Sequence, residues 1–389
     1  MRSEPNYNTI PVGQLGIIAL PGCEELANKI DNYLIRWRFQ RNSEHKDTLA
    51  FAGYEKSTYL INMEFPRFGT GEGKAALNQT VRGYDIYILC DVFNYGVTYK
   101  MYGITVPMSP DEHFANLKRA ISAIEGKAKR VSVIMPMLYE GRQHKRSSRE
   151  SLDCAMMLQE LHNMGVENFI TFDAHDPRVM NAIPLCGFES ISPAYQMIKA
   201  AVNNVDNLKI NKDNIMIISP DEGGMSRCIY YSTVLGVELG MFYKRRDFSR
   251  IVDGRNPIIA HEFLGDNVEG KDVIIVDDMI SSGESMIEVA TKLKELKAAR
   301  IYIFSAFGLF CNGFDAFDKA FQEGIIDRVF TTNLIYGTPE LLSKDWYIRV
   351  DMSKYLSYII DTLNHDTSIS DLLDPAEKIN TLLEKKGLK

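Results

Sequence analysis

Two adjacent carboxylates and the small, hydroxyl-rich residues after them form the stretch of this sequence best suited to ligand chemistry. Asp277 and Asp278 directly follow the apolar, β-branched run 272–276. After them come Ser281, Ser282, Gly283, Glu284 and Ser285. Carboxylates accept hydrogen bonds from vicinal hydroxyls and bind hard cations, while backbone amides at a helix start bind phosphate. A sugar phosphate with a free diol, together with Mg²⁺, would use all of these groups.

Two elements must hold this stretch in place. The run 272–276 is typical of a strand buried on both faces of a parallel sheet. From Ser285 onward, apolar residues recur at helical spacing and predict one buried helix face. They are Met286, Val289, Ala290, Leu293 and Leu296. The alternative is an ordinary strand-to-helix connection with solvated acids, but the coincidence of strand, acid pair and small-residue loop favours a ligand site.

Length and composition limit the class of protein. A chain of 389 residues exceeds what one core usually organises, so two domains are expected. With 45% apolar residues and no run long enough to cross a bilayer, the sequence predicts a soluble globular protein. The apolar stretch 15–20 is too short for a signal peptide and ends at Pro21 and Gly22, so we expect a cytoplasmic protein.

Charge and cysteine content exclude further classes. The net charge of -7 argues against nucleic-acid binding, which needs a cationic surface. Six cysteines are scattered singly along the chain, so we predict neither a zinc site nor a disulfide framework.

Short apolar runs alternate with amphipathic stretches, which is typical of an α/β fold with parallel sheets. The predicted strands are 15–20, 84–90, 131–135, 168–172, 214–218, 237–243, 272–276, 300–305 and 346–350. Three of them end close to an acid, at Asp173, Asp221 and Asp277. Because α/β sheets bind ligands at the carboxyl ends of their strands, we expect these acids to meet at one sheet edge.

The segment from Val276 to Ser285 resembles the signature loop of phosphoribosyl diphosphate (PRPP) binding proteins. These include type I phosphoribosyltransferases and ribose-phosphate pyrophosphokinases. The resemblance implies that Asp277 and Asp278 hold the ribose hydroxyls of ribose 5-phosphate, while residues 281–285 bind its phosphate. Glu284 stands where relatives usually carry a small residue, so we expect its side chain to face solvent and only its N–H to be used.

Two further segments are similar to the ATP-binding parts of the pyrophosphokinases. Phe68 and Glu72 belong to a segment that, in that family, reaches into a neighbouring subunit and contacts the ATP base; Thr70 replaces the usual Asn or Asp. Arg142 and Gln143 match nucleotide-binding positions of the family. The next residue of that segment is His144, where the family usually carries Asp.

The resemblance also implies metal-binding and catalytic residues. His175 and Asp221 match the positions that hold the Mg²⁺ carried by ATP. Lys244 and Arg246 match a catalytic arm that closes over ATP. All these matches follow the pyrophosphokinase order along the chain, whereas the 281–285 loop alone would also fit a phosphoribosyltransferase.

The resemblance implies two phosphoribosyltransferase-like domains, residues 1–188 and 189–350, each with a mainly parallel sheet flanked by helices. The C-terminal helices of 351–389 are expected to pack back on the first domain. It further implies the transfer of pyrophosphate from ATP to ribose 5-phosphate, giving PRPP and AMP. A homo-oligomer with its ATP site near a subunit interface is expected.

Two alternatives to this activity remain open. One is a type I phosphoribosyltransferase, which the Arg142–Gln143 segment and the Lys244–Arg246 arm argue against. The other is a non-catalytic regulatory subunit, which the substitutions at Thr70, His144 and Glu284 keep open.

Overall fold

The computed structural model describes residues 9–41, 48–246 and 258–388. For residues 244–246 and 258–261 it describes only the backbone. Within these limits the chain forms two units, each with its own sheet. The first unit comprises Met1–Ser192, Asn333–Tyr336 and Asp351–Asp374, and the second comprises Pro193–Thr332, Gly337–Val350 and Pro375–Lys389. The predicted C-terminal segment 351–389 is therefore divided between the two units.

The first unit carries most of its elements before residue 192. They are β1 (Gln14–Ala19), α1 (Glu24–Arg41), β2 (Met63–Glu64), β3 (Ala76–Leu77), β4 (Tyr84–Leu89), β5 (Thr98–Met101), β6 (Ile104–Pro107), α2 (Pro110–Ile124), β7 (Arg130–Ile134), α3 (Asp153–Asn163), β8 (Asn168–Phe172) and β9 (Gly187–Ile191). Five of the described strands form one parallel sheet in the order β1-β4-β7-β8-β9. Strands β2 and β3, and likewise β5 and β6, pair as separate antiparallel hairpins.

The second unit follows, and the last helices are shared between the units. Its elements are α4 (Ala194–Asn204), β10 (Ile215–Ser219), α5 (Met225–Leu235), β11 (Glu238–Arg246), β12 (Ile258–Leu264), β13 (Asp272–Ile280), α6 (Glu284–Glu295), β14 (Ile301–Gly308), α7 (Asp315–Gln322), β15 (Arg328–Thr332), α8 (Pro339–Leu342) and β16 (Tyr347–Val350). Helices α9 (Ser353–Asn364) and α10 (Ser370–Leu373) belong to the first unit, and α11 (Ala376–Lys385) to the second. None of the described helices is long and apolar enough to cross a membrane.

Both faces of the first sheet are covered by helices. On one face, Ile88 of β4 and Val133 of β7 pack in a buried cluster with Leu117 of α2 and Leu158 of α3. On the other, Asn364 at the end of α9 donates from Nδ2 to Asp85 Oδ2 at 2.9 Å. Burial on both faces explains why these strands are nearly continuous apolar runs.

Helix α9 is joined to α1 by a buried ionic network. The Nε and Nη2 atoms of Arg38 donate to Asp361 Oδ1 at 3.0 and 2.9 Å, and Arg41 also donates to this carboxylate. The side chains of Arg38 and Asp361 are only 1% and 0% exposed. Burial alone would raise the pKa of Asp361, but the charges of Arg38 and Arg41 outweigh it and hold that pKa below its usual range.

The sheet of the second unit contains seven described strands in the order β12-β11-β10-β13-β14-β15-β16. All its neighbouring strands are parallel except β11 and β12. From β10 the chain passes through α5 to β11 on one side, whereas β13 and the later strands extend the sheet on the other. The strand order therefore reverses between β10 and β13, and such a switch point opens a crevice at the carboxyl ends of the strands.

The predicted α/β fold with mainly parallel sheets is confirmed, with local differences. All nine predicted strands are present. The structure also contains strands that were not predicted from the sequence, such as β9 and β12. Strand β13 continues to Ile280, so Asp277 and Asp278 lie inside the strand and not after it. Helix α6 begins at Glu284, one residue before the predicted start.

Two expectations about side-chain placement are wrong. Leu296 follows the last residue of α6 and is 42% exposed, so it is not part of the buried face. Asp173 follows β8 in the first sheet, whereas Asp221 and Asp277 belong to the second. The three acids therefore do not share one sheet edge.

Candidate functional site

The 281–285 loop joins β13 to α6 beside the switch point of the second sheet. Gly283 precedes the first residue of α6 and has φ 87°, in the left-handed region that favours glycine. A Cβ at this position would lie 2.2 Å from Phe317 Cε2 in α7. The first N–H groups of α6 have no intrahelical acceptor, so the loop and helix start present donors suited to an anion.

The segment after β14 holds this loop from the side. Leu309 N donates to Ile280 O at 2.9 Å, and Cys311 N donates to Ser281 O, also at 2.9 Å. These bonds fix the end of β13 and the first residue of the loop against the segment after β14. This segment is not among the residues predicted from the sequence, although its place after β14, a neighbour of β13, puts it at the same sheet edge.

The carboxyl groups of Asp277 and Asp278 are close enough to influence each other. Asp278 is 3% exposed, and the side chain of Asp277 is 21% exposed. Burial and the neighbouring charge of Asp278 raise the pKa of Asp277 well above its usual range, while the charge of Arg227 in α5 acts against this rise. A pair of this kind is stabilised by hydroxyl donors or a cation.

Asp221 lies in the turn between β10 and α5, on the other side of the switch point. Its Oδ1 accepts hydrogen bonds from Gly223 N at 2.9 Å and Gly224 N at 3.3 Å. A Cβ on Gly224 would approach Val276 O of β13 to 3.5 Å, so the turn lies directly against that strand. The structure therefore brings the Asp221 turn and Asp277 together within one unit.

Lys244 and Arg246 lie at the end of β11, and their side chains are outside the described part of the structure. Strand β11 pairs with β10 only as far as Met241, opposite Ser219. Beyond this point β11 pairs with β12 alone, with Lys244 opposite His261. At about 3.3 Å per residue, Lys244 lies roughly 10 Å past the end of β10. The backbone of the β11–β12 pair thus extends beyond the carboxyl end of β10.

In the first unit, two of the predicted ATP-side segments meet near the ends of β7 and β8. The rings of His144 and His175 are 5.3 Å apart between centroids, and His144 Nε2 lies 3.5 Å from Asp176 Oδ2. Gln143 donates from Nε2 to Ser151 O at 2.9 Å, within its own segment. Arg142 is exposed at the surface.

Phe68 and Glu72 lie on a tight turn, in which Phe68 N donates to Glu72 O at 2.8 Å. The turn contacts the β5–β6 hairpin, since Tyr102 N donates to Gly69 O at 2.8 Å. Within the described residues, no hydrogen bond, ion pair or ring contact joins Phe68 or Glu72 to the Arg142–Gln143 segment. The Phe68 side chain is 55% exposed and available to a ligand or a second chain.

No group of three histidine, cysteine or acidic side chains suited to a metal occurs in the described ranges. The carboxylate of Asp221 is nevertheless held in place by two backbone amides, and oxygen is the donor that Mg²⁺ prefers. Mg²⁺ usually binds through one or two protein carboxylates and the phosphates of its nucleotide. The donors present therefore fit a metal that arrives with a nucleotide.

Comparison with known proteins places the chain in one family. Residues 15–165 match the model of the N-terminal domain of ribose phosphate pyrophosphokinase. Residues 188–308 match the phosphoribosyl transferase domain, and 250–374 match the phosphoribosyl synthetase-associated domain. Together these three models span most of the chain.

Individual relatives agree with this assignment. Ribose-phosphate pyrophosphokinase of Vibrio parahaemolyticus is 26% identical over 313 residues, which cover 79% of this chain and 90% of the relative. That of Shewanella oneidensis is 27% identical over 307 residues, covering 78% and 88%. The crystal structure of phosphoribosylpyrophosphate synthetase from Mycobacterium smegmatis has the same fold, with a TM-score of 0.71 at 18% identity, covering 91% of this chain and 99% of that one. The chain therefore belongs to the ribose-phosphate pyrophosphokinase family, as the resemblance predicted.

Proposed function

We propose that the protein is a ribose-phosphate pyrophosphokinase, which transfers the pyrophosphoryl group of ATP to the anomeric hydroxyl of ribose 5-phosphate. One observation carries the proposal. Three neighbouring strands of the second sheet, β11, β10 and β13, bring a basic hairpin, the Asp221 turn and the acid pair with its amide loop to the same edge. This is the combination that a pentose phosphate and a magnesium nucleotide require together.

The acceptor sugar is assigned to β13 and the loop after it. The backbone amides of 281–285 would bind its phosphate, and the hydroxyls of Ser281, Ser282 and Ser285 can donate to it. The carboxylates of Asp277 and Asp278 would accept hydrogen bonds from the ribose diol. Hydroxyl donors would offset the desolvation of the Asp277 carboxyl group and its repulsion by Asp278, which together raise its pKa well above the usual range.

The remaining candidate site residues are assigned to ATP and its metal. Phe68, Glu72, Arg142 and Gln143 would contact the nucleotide, and His175 and Asp221 would hold the Mg²⁺ that it carries. The metal, when bound, neutralises phosphate charge. In the reaction, the anomeric oxygen of the sugar attacks the β-phosphorus of ATP and loses its proton. The bond from that phosphorus to the α-phosphate oxygen breaks, and AMP leaves.

The protein needs no covalent intermediate for this transfer, because positioning and charge stabilisation supply most of the rate. Lys244 and Arg246 would stabilise negative charge on the transferring group, as a point charge and a bidentate donor respectively. Their place on a hairpin that extends past β10 supports this assignment. We further propose a cytoplasmic homo-oligomer in which the exposed Phe68 turn contributes to an ATP site near a subunit contact.

A non-catalytic regulatory subunit is the second candidate. It is favoured by the Thr70 hydroxyl, which donates to Glu72 Oε2 at 2.8 Å and so occupies a carboxylate assigned to ATP. A phosphoribosyltransferase is the third, since the 281–285 loop alone would serve either chemistry.

One experiment separates the three candidates. The full-length protein is incubated with ATP, Mg²⁺ and ribose 5-phosphate, and AMP and PRPP are quantified, with ribose 5-phosphate omitted as the control. Equal amounts of AMP and PRPP are expected only in the complete mixture. Nucleotide binding without either product would identify a non-catalytic subunit. Consumption of added PRPP in the presence of a purine or pyrimidine base would identify a transferase.

A further inference from the structure

The carboxylate of Glu284 stands at the start of the helix whose amides are assigned to the ribose 5-phosphate group. Glu284 is the first residue of α6, and its side chain is exposed. A carboxylate in the first turn stabilises a helix through the dipole, but it repels an anion bound at the same end. The position of this side chain therefore affects phosphate affinity.

In the structure, the Glu284 carboxylate accepts a hydrogen bond from the segment after β14. Asn312 donates from Nδ2 to Glu284 Oε1 at 3.3 Å. Asn312 itself is held close to the loop, because the preceding residue, Cys311, donates its N–H to Ser281 O. The amide of Asn312 thus directs the Glu284 side chain toward the segment after β14.

We propose that Glu284 limits the affinity of the protein for the phosphate of ribose 5-phosphate, and that Asn312 is a positioning residue that keeps the Glu284 carboxylate away from that phosphate. The inference rests on the function proposed above and adds a specificity-determining pair to it. Asn312 contacts no substrate in this scheme and acts only through Glu284.

The test measures ribose 5-phosphate binding to the full-length protein by calorimetry. Glu284→Gln keeps the size of the side chain and removes its charge, so the affinity should rise roughly three- to tenfold. Asn312→Ala releases the charged side chain, so the affinity should fall roughly two- to fivefold. In the Glu284→Gln background, Asn312→Ala should have no further effect, because the charge it restrains is gone.

A matched control removes the same charge one helical turn further along α6. Glu288 is exposed, and Glu288→Gln should change the affinity by less than about twofold. A purely structural role for Asn312 would lower the affinity equally in both backgrounds and would overturn the inference. Equal effects of Glu284→Gln and Glu288→Gln would also overturn it.

The failure of the inference is distinguishable from the failure of the proposed function. If the unmodified protein takes up no ribose 5-phosphate, both are overturned. If it binds ribose 5-phosphate and Glu284→Gln leaves the affinity unchanged, the inference alone is wrong.

Discussion

Arg227 Nη1 lies 3.6 Å from Asp277 Oδ1, so a cation from the helix after β10 faces the first carboxylate of β13. Desolvation of the Asp277 carboxyl group and the charge of Asp278 outweigh this cation, so the pKa of Asp277 remains well above its usual range. The candidate sugar site therefore contains an acid pair whose ionisation is unfavourable. This relationship links the ligand chemistry to the pH dependence of stability.

Asp277→Asn should stabilise the ligand-free protein at neutral and alkaline pH while weakening ribose 5-phosphate binding at least tenfold. A carboxyl group whose pKa is raised by folding favours the folded state less as pH rises, because the folded state must give up a proton that it binds tightly. The advantage of the variant should therefore grow as pH rises above about 4, the usual pKa of an aspartate. Melting temperatures from pH 4 to 9 test this, with exposed Asp345→Asn as the control.

Gly283→Ala should abolish most ribose 5-phosphate binding. The new Cβ would meet Phe317 at 2.2 Å, and φ 87° is itself unfavourable for alanine. Gly324→Ala is the matched control, since Gly324 has φ 71° and an ideal Cβ there has no atom within 4 Å. The control should lose about 1–2 kcal/mol of stability and keep its ligand affinity. Equal losses of affinity in both variants would contradict the assigned role of the loop.

Lys244→Ala should lower kcat by about 10²–10⁴ while leaving the affinity for ribose 5-phosphate within about twofold. The reason is that charge on the transferring group develops only during the reaction, whereas the sugar is assigned to another strand, β13. Single-turnover rates and calorimetry measure the two quantities. Lys297→Ala removes an exposed lysine paired with Glu269 and serves as the control. Parallel loss of binding and rate in Lys244→Ala would argue against a catalytic role.

Asp361→Ala should destabilise the protein by about 3–5 kcal/mol, because it leaves the buried cation of Arg38 without its partner. Since the pKa of Asp361 is held below its usual range, its stabilising contribution is present above about pH 4 and is lost as pH falls further. Denaturant unfolding at pH 7 and pH 3 measures both effects. Glu269→Ala breaks an exposed pair with Lys297 and should cost less than about 1 kcal/mol. Similar losses of stability in the two variants would contradict the larger contribution expected from the buried ion pair.

The sequence predicted the strands and the family well because both depend on local patterns. Apolar runs located the nine main strands, and the residues of 276–285 located the loop. It could not predict that β13 continues through Asp277 to Ile280, since this extension depends on pairing with β14, where Met279 lies opposite Phe307. The expected meeting of Asp173 with Asp221 and Asp277 considered only that each follows a strand. The domain boundary expected at residue 188 already placed Asp173 in the other domain. The contact between Glu284 and Asn312 joins residues far apart in the chain and has no local signature.

The return of residues 351–374 to the first unit has a consequence for how this chain can be divided. A fragment ending at residue 192 would carry Arg38 in α1 but not Asp361 in α9, and so would expose an apolar surface and an unpaired cation. Limited proteolysis between the units should therefore give fragments that stay associated or precipitate. A chimera that takes its second unit from a relative would fold only if helices α1 and α9 came from the same protein.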